Sequence, residues 1–307
     1  MKSLILSLLR NSKIIKLISS FMIIFSLFGI LSSSLISSIK QPINLGMDFL
    51  GGNEIRIERQ CINNCSPITS DEFLLTLNDT SVDKNLISKI RIQVLNQNKL
   101  ISIRTPFLSV DNTQILLNNI NKIYGPLNLE TKNTKSIGPK LGRDLLINAG
   151  VALLLSLSAI SIYLSIRFDR KFALIALIAL FHDLFIVFGI FSWLGIFFSV
   201  EVNSLFAVSL LTIAGYSVND TVVIFDRIRE NLRSNSKSKF NNIIEISVNE
   251  SLRRTLFTSM TTIIPLITLI VFGSYSLFWF SISLVLGIII GSYSSILLAP
   301  SLLLKNE

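Results

Sequence analysis

Six apolar runs, at about residues 17–36, 145–166, 172–191, 202–225, 256–272 and 277–298, constrain this chain more than any other feature of its sequence. About 20 consecutive apolar residues suffice for a helix to cross the hydrocarbon core of a bilayer. In lipid the backbone must satisfy its own hydrogen bonds, so each run reads as a transmembrane helix. Half of the 307 residues are hydrophobic and only 15% are charged, against roughly 25% in a soluble domain, and the mean hydropathy is +0.63. The chain therefore reads as an α-helical integral membrane protein with one polar region, and a soluble enzyme is excluded. The formal net charge of +9 would suit a nucleic-acid binder. The basic residues instead cluster at the ends of apolar runs, where they set topology against membrane lipid, so no nucleic-acid partner is expected. Ile, Asn, Lys and Ser are abundant throughout, as in proteins of AT-rich genomes, and carry no structural meaning here.

Lys2, Arg10, Lys13 and Lys16 precede the first run. A basic start before an apolar stretch also fits a cleavable leader, with Ser33 and Ser34 as the cleavage region. The run is long enough to span, and it reads as an uncleaved first helix. Arg167, Arg170 and Lys171 lie between the second and third runs. Arg227, Arg229, Arg233, Lys237, Lys239, Arg253 and Arg254 lie between the fourth and fifth, whereas the connections at 199–201 and 273–274 carry no Lys or Arg. The positive-inside rule then sets both chain ends in the cytoplasm and the polar region outside. The expected organisation is a cytoplasmic N-terminus at 1–16, a first span at 17–36, an external domain at 40–144, a membrane domain at 145–301 with a cytoplasmic loop at 227–254, and a cytoplasmic C-terminus at 302–307.

Within 40–144 the pattern predicts a small α+β domain. Residues 53–58 alternate like a strand. Residues 69–77 read as a helix with Thr69, Ser70 or Asp71 as N-cap. Residues 89–95 and 99–105 read as a hairpin across 96–98. Residues 111–124 form an amphipathic helix with Ile115, Leu116, Ile120 and Ile123 on one face, stopped by Gly125 and Pro126, and 127–135 form a last strand. The order βαββαβ is that of a ferredoxin-like fold. Gly51 and Gly52 precede the first strand, and SIGPKLG (136–142), with Gly138, Pro139 and Gly142, follows the last. Both read as shaped junctions between domain and helix. Cys61 and Cys65, in CINNC, fit either a local disulfide or two free thiols, and no second pair completes a metal site.

The stretch GYSVNDTVVIFDRIREN (215–231) starts in an apolar run and ends in a basic one. Asp220 lies about seven residues before Arg227, some ~10 Å from the polar end of a helix. A carboxylate at that depth costs at least roughly 2.5–3.5 kcal/mol on insertion scales, and its default reading is a proton or ion path. Arg254, which opens the fifth helix, is the natural partner. An arginine stays charged, and its approach or retreat changes how readily a carboxylate takes up a proton. A static ion pair, or an arginine that never meets Asp220, is the structural alternative. His182 and Asp183 lie near mid-membrane on the third helix and read equally as a buried donor–acceptor pair or as proton carriers. Thr255, Thr258, Ser259, Thr261 and Thr262 give the fifth helix a hydroxyl face, suited to helix–helix hydrogen bonds or to a wet path. No nucleophile–base set, nucleotide motif or metal cluster is present, and no cofactor is expected.

LGMDFLGGNEIRI, SIGPKLGRDL, FHDLFIVFGIF, GYSVNDTVVIFDRIREN and NESLRRTLFTSMTT, in this order, resemble the SecF family of the bacterial protein-export machinery over essentially the whole chain. The glycine motif alone would be shared with SecD. The resemblance implies half of a resistance–nodulation–division (RND) type membrane domain in the bacterial inner membrane, with the polar domain periplasmic. It implies a complex with SecD, association with the SecYEG channel and its auxiliary membrane subunits, and use of the proton motive force to draw preproteins across after the ATP-driven step. It matches Asp220 to the essential membrane aspartate, Arg254 to the fifth-helix arginine and Asp183 to the acidic residue of the His-Asp pair. His182, Asn219, Thr258 and Thr262 stand as supporting polar membrane residues. The coupling ion would be H⁺, with Na⁺ as the alternative, and the chain would not be an enzyme. CINNC lies outside the family pattern. The rival functions are an RND-type small-molecule or ion exporter subunit and a purely structural subunit that holds SecD.

Overall fold

A computed structural model describes residues 11–36, 39–60, 90–95, 99–106, 113–115, 117–118, 120–121, 127–234 and 239–304. The chain divides into two compact units, residues 45–148 and the remainder. The expected helix at 69–77 and Cys61 and Cys65 lie outside the described residues.

The smaller unit holds a four-stranded antiparallel sheet of β1 (Gly52–Arg59), β2 (Arg91–Leu95), β3 (Leu100–Thr105) and β4 (Leu127–Ile137), in the order β2-β3-β1-β4. Residues 113–115, 117–118 and 120–121 are helical. This strand order is that of a split βαβ fold, in which a strand antiparallel to its neighbours separates the two ends of each crossover. The alternation seen in the sequence sets the register. Ile55 faces Ile103 and Ile57 faces Ile101, and all four are fully buried. The intervening residues carry a polar set. Glu54 sits opposite Arg104 and accepts from Arg104 Nε at 3.2 Å, Arg56 Nη2 at 3.1 Å and Ser102 Oγ at 3.2 Å. Burial pushes the Glu54 carboxyl up, but the charges and hydrogen bonds of Arg104 and Arg56 outweigh it and hold the group below its ordinary value.

The two glycine-bearing segments meet inside this unit. A short helix, α1 (Met47–Leu50), ends at Gly51, whose N–H bonds Met47 O at 2.9 Å. Gly51 and Gly52 have φ of 77° and 147°, a region that only glycine enters freely. A Cβ on Gly51 would collide with the Pro139 backbone, and one on Gly142 with the backbone of Gly51 and Phe49. Lys135 Nζ closes the same corner on Asp48 at 2.8 Å. Gly138 has open space around it.

Among the described residues, six helices are long and apolar enough to cross a membrane, and they make up most of the larger unit. They are α2 (Ser12–Leu35), α3 (Pro139–Arg167, whose first turns belong to the smaller unit), α4 (Arg170–Phe198), α5 (Ser204–Ser234), α6 (Phe240–Phe272), and α7 (Tyr275–Tyr293) continued through a π-helical turn (Ser294–Leu298) into α8 (Ala299–Leu303). α2 packs on α4, and α7 packs on α5 and α6. Small residues let the helices close up, as expected where lipid removes most of the hydrophobic drive for association. A Cβ on Gly189 would strike Ser26, and one on Gly287 would strike Ile213.

Segment 227–254, read from sequence as a loop, is mostly helix. α5 runs on to Ser234, and α6 starts at Phe240. Ile228 and Asn231 on α5, and Ile243, Ile244, Val248 and Leu252 on α6, are buried at helical spacing, so the polar extensions keep an apolar stripe inward. Arg227 Nε meets Glu250 at 2.7 Å, and Asn231 Nδ2 donates to Glu250 at 2.8 Å and to Ser247 Oγ at 3.0 Å. Arg233, Arg253 and Arg254, among the charges that marked this segment as a loop, are exposed.

Candidate functional site

The polar residues of the membrane unit converge where α4, α5 and α7 meet. Asp183 on α4 is fully buried. Its Oδ2 accepts from Ser217 Oγ on α5 at 2.6 Å and from Ser294 Oγ on the π-helical turn at 2.6 Å. Its Oδ1 lies 2.9 Å from His182 Nδ1, and His182 Nε2 is buried without a hydrogen-bond partner. His182 also lines an apolar cleft of about 720 Å³ between α2, α3 and α4, to which Lys16 and Ser19 contribute.

Asp220 is on the same face of α5 as Ser217, one helical turn on, and is 2% exposed. Among the described residues its Oδ2 has no hydrogen-bond partner. Arg254 on α6 is exposed, yet it is close enough for its charge to act on Asp220. No ion pair between the two within 4.0 Å is found among the described residues. The two residues that the sequence paired are thus electrostatic neighbours rather than a closed salt bridge.

The other sequence-selected residues separate. Asn219 faces outward. Thr258 and Thr262 donate to carbonyls of their own helix, Thr255 O and Thr258 O, each at 2.9 Å. Ser259 is the hydroxyl of that face that crosses between helices, lying 2.7 Å from Ser292 Oγ and accepting from Tyr216 Oη at 3.1 Å. The sequence reading missed Ser217, Thr221, Ser294 and Ser295. Thr221 Oγ1 and Ser295 Oγ lie 2.8 Å apart, and Ser295 also donates to Ser217 O at 3.3 Å. The run Ser292-Tyr293-Ser294-Ser295 ahead of Pro300 marks the region, but serine recurs in the other apolar helices too, so the run does not single out Ser294.

The polar ends of the helices carry a second set of charges. Asp226 accepts from Arg167 at 2.8 Å and from Arg229 at 2.9 Å, tying α3 to α5. No group of three or more His, Cys, Asp or Glu able to hold a metal ion occurs among the described residues.

Six spans, ionisable groups buried between helices and a small split-βαβ domain after the first span define a multi-pass membrane protein of the RND-like type. Comparison with known proteins agrees. Residues 117–307 match the family model "Protein export membrane protein SecD/SecF, C-terminal". The protein translocase subunit SecF of Prochlorococcus marinus is 47% identical over 303 residues, covering 97% of this chain and 94% of that one. SecF of a Synechocystis species is 36% identical, covering 97% and 93%. The crystal structure of SecDF, a translocon-associated membrane protein from Thermus thermophilus, superposes with a TM-score of 0.79 at 26% identity, over 96% of this chain and 38% of that one. The chain thus spans 38% of the SecDF chain and nearly all of its curated relatives. It belongs to the SecF family of protein translocase subunits.

Proposed function

We propose that the chain is a proton-coupled accessory subunit of the Sec export translocase, working beside SecD in the bacterial inner membrane. Its relatives are protein translocase subunits, and the SecDF chain exceeds this one by a length that a separate SecD would supply. Both chain ends would lie in the cytoplasm and the sheet domain in the periplasm. The partners would be SecD, the SecYEG channel with its auxiliary membrane subunits, and the moving preprotein. The chain would add its work after the ATP-driven step.

The observation that carries this reading is Asp220, buried between helices with an oxygen unpartnered and the charge of Arg254 within reach but not bonded. A carboxylate so held can exchange a proton without first breaking a salt bridge. Moving α6 relative to α5 changes the field of Arg254 at Asp220 and so the readiness of proton uptake. Asp183 with His182 provides a second exchangeable group one helix away. H⁺ is the coupling ion of this reading, and Na⁺ would need oxygen ligands gathered at Asp220. The helix shift would reach the sheet domain through the junctions around Gly51, Gly52, Pro139 and Gly142, and that domain would grip and release the emerging polypeptide.

The test is preprotein translocation in membrane vesicles containing the partner subunits, comparing wild type with Asp220→Asn at matched protein levels, with and without an imposed proton gradient. Only the wild type is expected to gain from the gradient. Equal gain in both would remove Asp220 from the coupling and leave a structural subunit. Replacing Na⁺ and H⁺ gradients in turn assigns the ion.

A further inference from the structure

The stretch 292–295 sends four successive side chains to four different helices. Ser292 meets Ser259 on α6 at 2.7 Å, and Tyr293 Oη meets Ser19 on α2 at 2.9 Å. Ser294 donates to Asp183 on α4 at 2.6 Å, and Ser295 meets Thr221 on α5 at 2.8 Å. A regular helix cannot turn adjacent residues 294 and 295 so that both reach the interior and still continue in phase, because each step rotates by about 100°. The π-helical turn supplies the extra arc. The Ala299 N–H bonds Ser294 O, five residues back. Pro300 explains why the wide turn falls here. It has no N–H to give to Ile296 O, and its ring would clash with that carbonyl in a regular helix.

We infer that Ser294, set by the π-helical turn before Pro300, is a positioning residue for Asp183, holding its carboxyl group in either protonation state. This deepens the reading of Asp183 as an exchangeable group, and rests on it for function but not for geometry. A serine hydroxyl has one proton to donate and can also accept. Ser294 Oγ has two acceptors in reach, Asp183 Oδ2 at 2.6 Å and Gly291 O at 3.1 Å. With Asp183 ionised, Ser294 and Ser217 both donate to Oδ2. With Asp183 protonated on that oxygen, Ser294 turns its proton to Gly291 O and accepts from the carboxyl. The exchange costs a hydroxyl rotation, with no helix displaced. Gly291 leaves the room for it, since a Cβ there would come within 3.6 Å of Asp183 Oδ2 and 3.3 Å of Ser217 Cβ. The titratable groups around Asp183 are His182 beside it and Tyr293 on α7, with Lys16 of α2 in the cleft that His182 lines; Asp220 lies one turn of α5 beyond Ser217. Arg254 of α6 acts on Asp220.

His182 is the only histidine in the chain, so its ring nitrogens report this pair without interference. The purified full chain, with ¹⁵N-histidine, is reconstituted in liposomes and the pH midpoint of the imidazole signals is measured. Ser294→Ala is expected to move the midpoint by about one pH unit, because Ser294 bonds the ionised carboxylate more strongly than the neutral acid and its removal weighs unequally on the two states. Ser294→Thr keeps the hydroxyl and restores the wild-type midpoint. Ser281→Ala, which removes a buried hydroxyl without a partner on the same helix, leaves the midpoint in place. Ser217→Ala removes the other donor to Oδ2 and gives the same kind of shift if Ser294→Ala does not fold. An unchanged midpoint in the folded alanine variants, or an equal shift in Ser281→Ala, overturns the inference. A shifted midpoint with gradient-driven export intact would keep the positioning role and remove Asp183 from the coupling proposed above.

Discussion

The two units bury the same chemical group in opposite ways. In the sheet, Glu54 is met by two arginines and a serine. In the helix bundle, Asp183 is met by two serines and a histidine, and Asp220 by no hydrogen-bond donor to its Oδ2. Fixed cations pin a carboxylate in its charged state. A neutral hydroxyl can donate to the charged acid and accept from the neutral one. Glu54 is therefore held in its charged state, whereas the hydroxyls around Asp183 can bond either state of the acid.

The sharpest way to break this contrast is to remove each carboxylate and compare stability. Glu54→Ala removes the carboxylate shared by Arg104, opposite it, and Arg56, two residues along β1, and is expected to cost about 2 kcal/mol, reduced from a fully buried pair because both arginines are partly exposed. Hydrogen exchange of β1 and β3 amides in the full chain reads it as faster exchange. Asp220→Asn, by contrast, relieves a desolvated charge and keeps the shape. Thermal unfolding in detergent should stay within about 1 kcal/mol of wild type or rise. If Asp220→Asn destabilises as much as Glu54→Ala, the two sites are alike and the distinction fails.

A pH titration sharpens the same point. Glu54 is held below its ordinary value of 4.5, so its contribution to sheet stability is present in full above that value. It is lost as pH falls through the lower folded value. Protection of β1 and β3 amides should therefore drop on acidification below 4.5 in wild type, and the acid-dependent part should vanish in Glu54→Gln. The smallest effect belongs to the exposed pair Arg167–Asp226, whose side chains are 41% and 34% exposed. Arg167→Ala should cost less than about 1 kcal/mol in unfolding, and less still at high salt.

Much of the fold was legible because it rests on one-dimensional signals. Apolar runs give spans, and the alternation of Ile55 and Ile57 gives a strand with one buried face. Asp220 stood out because a carboxylate in an apolar run has few explanations. The partners of Asp183 were not legible. Ser217 and Ser294 lie 34 and 111 residues away, and serine is so common in these runs that no pattern singles out the two that matter. The π-helical turn is a departure from helical period over five residues, too short to show in a hydrophobic pattern. Arg254 was chosen for its charge, its place at the start of the fifth helix and its match to the family's arginine, which identify a neighbour in the field but not a bond. The helical extensions of α5 and α6 were read as loop because charge density hid an apolar stripe of Ile228, Ile244 and Val248.

The tight seam between α2 and α4 also has a genetic side. Gly189 sits so close to Ser26 that even a methyl group would run into its backbone and side chain. Every missense change reachable by one base from a glycine codon adds a side chain. Point mutation therefore has no mild replacement to offer at this position. A screen of random single-base changes should recover Gly189 variants only as losses of assembled protein, or together with a compensating change on the facing helix.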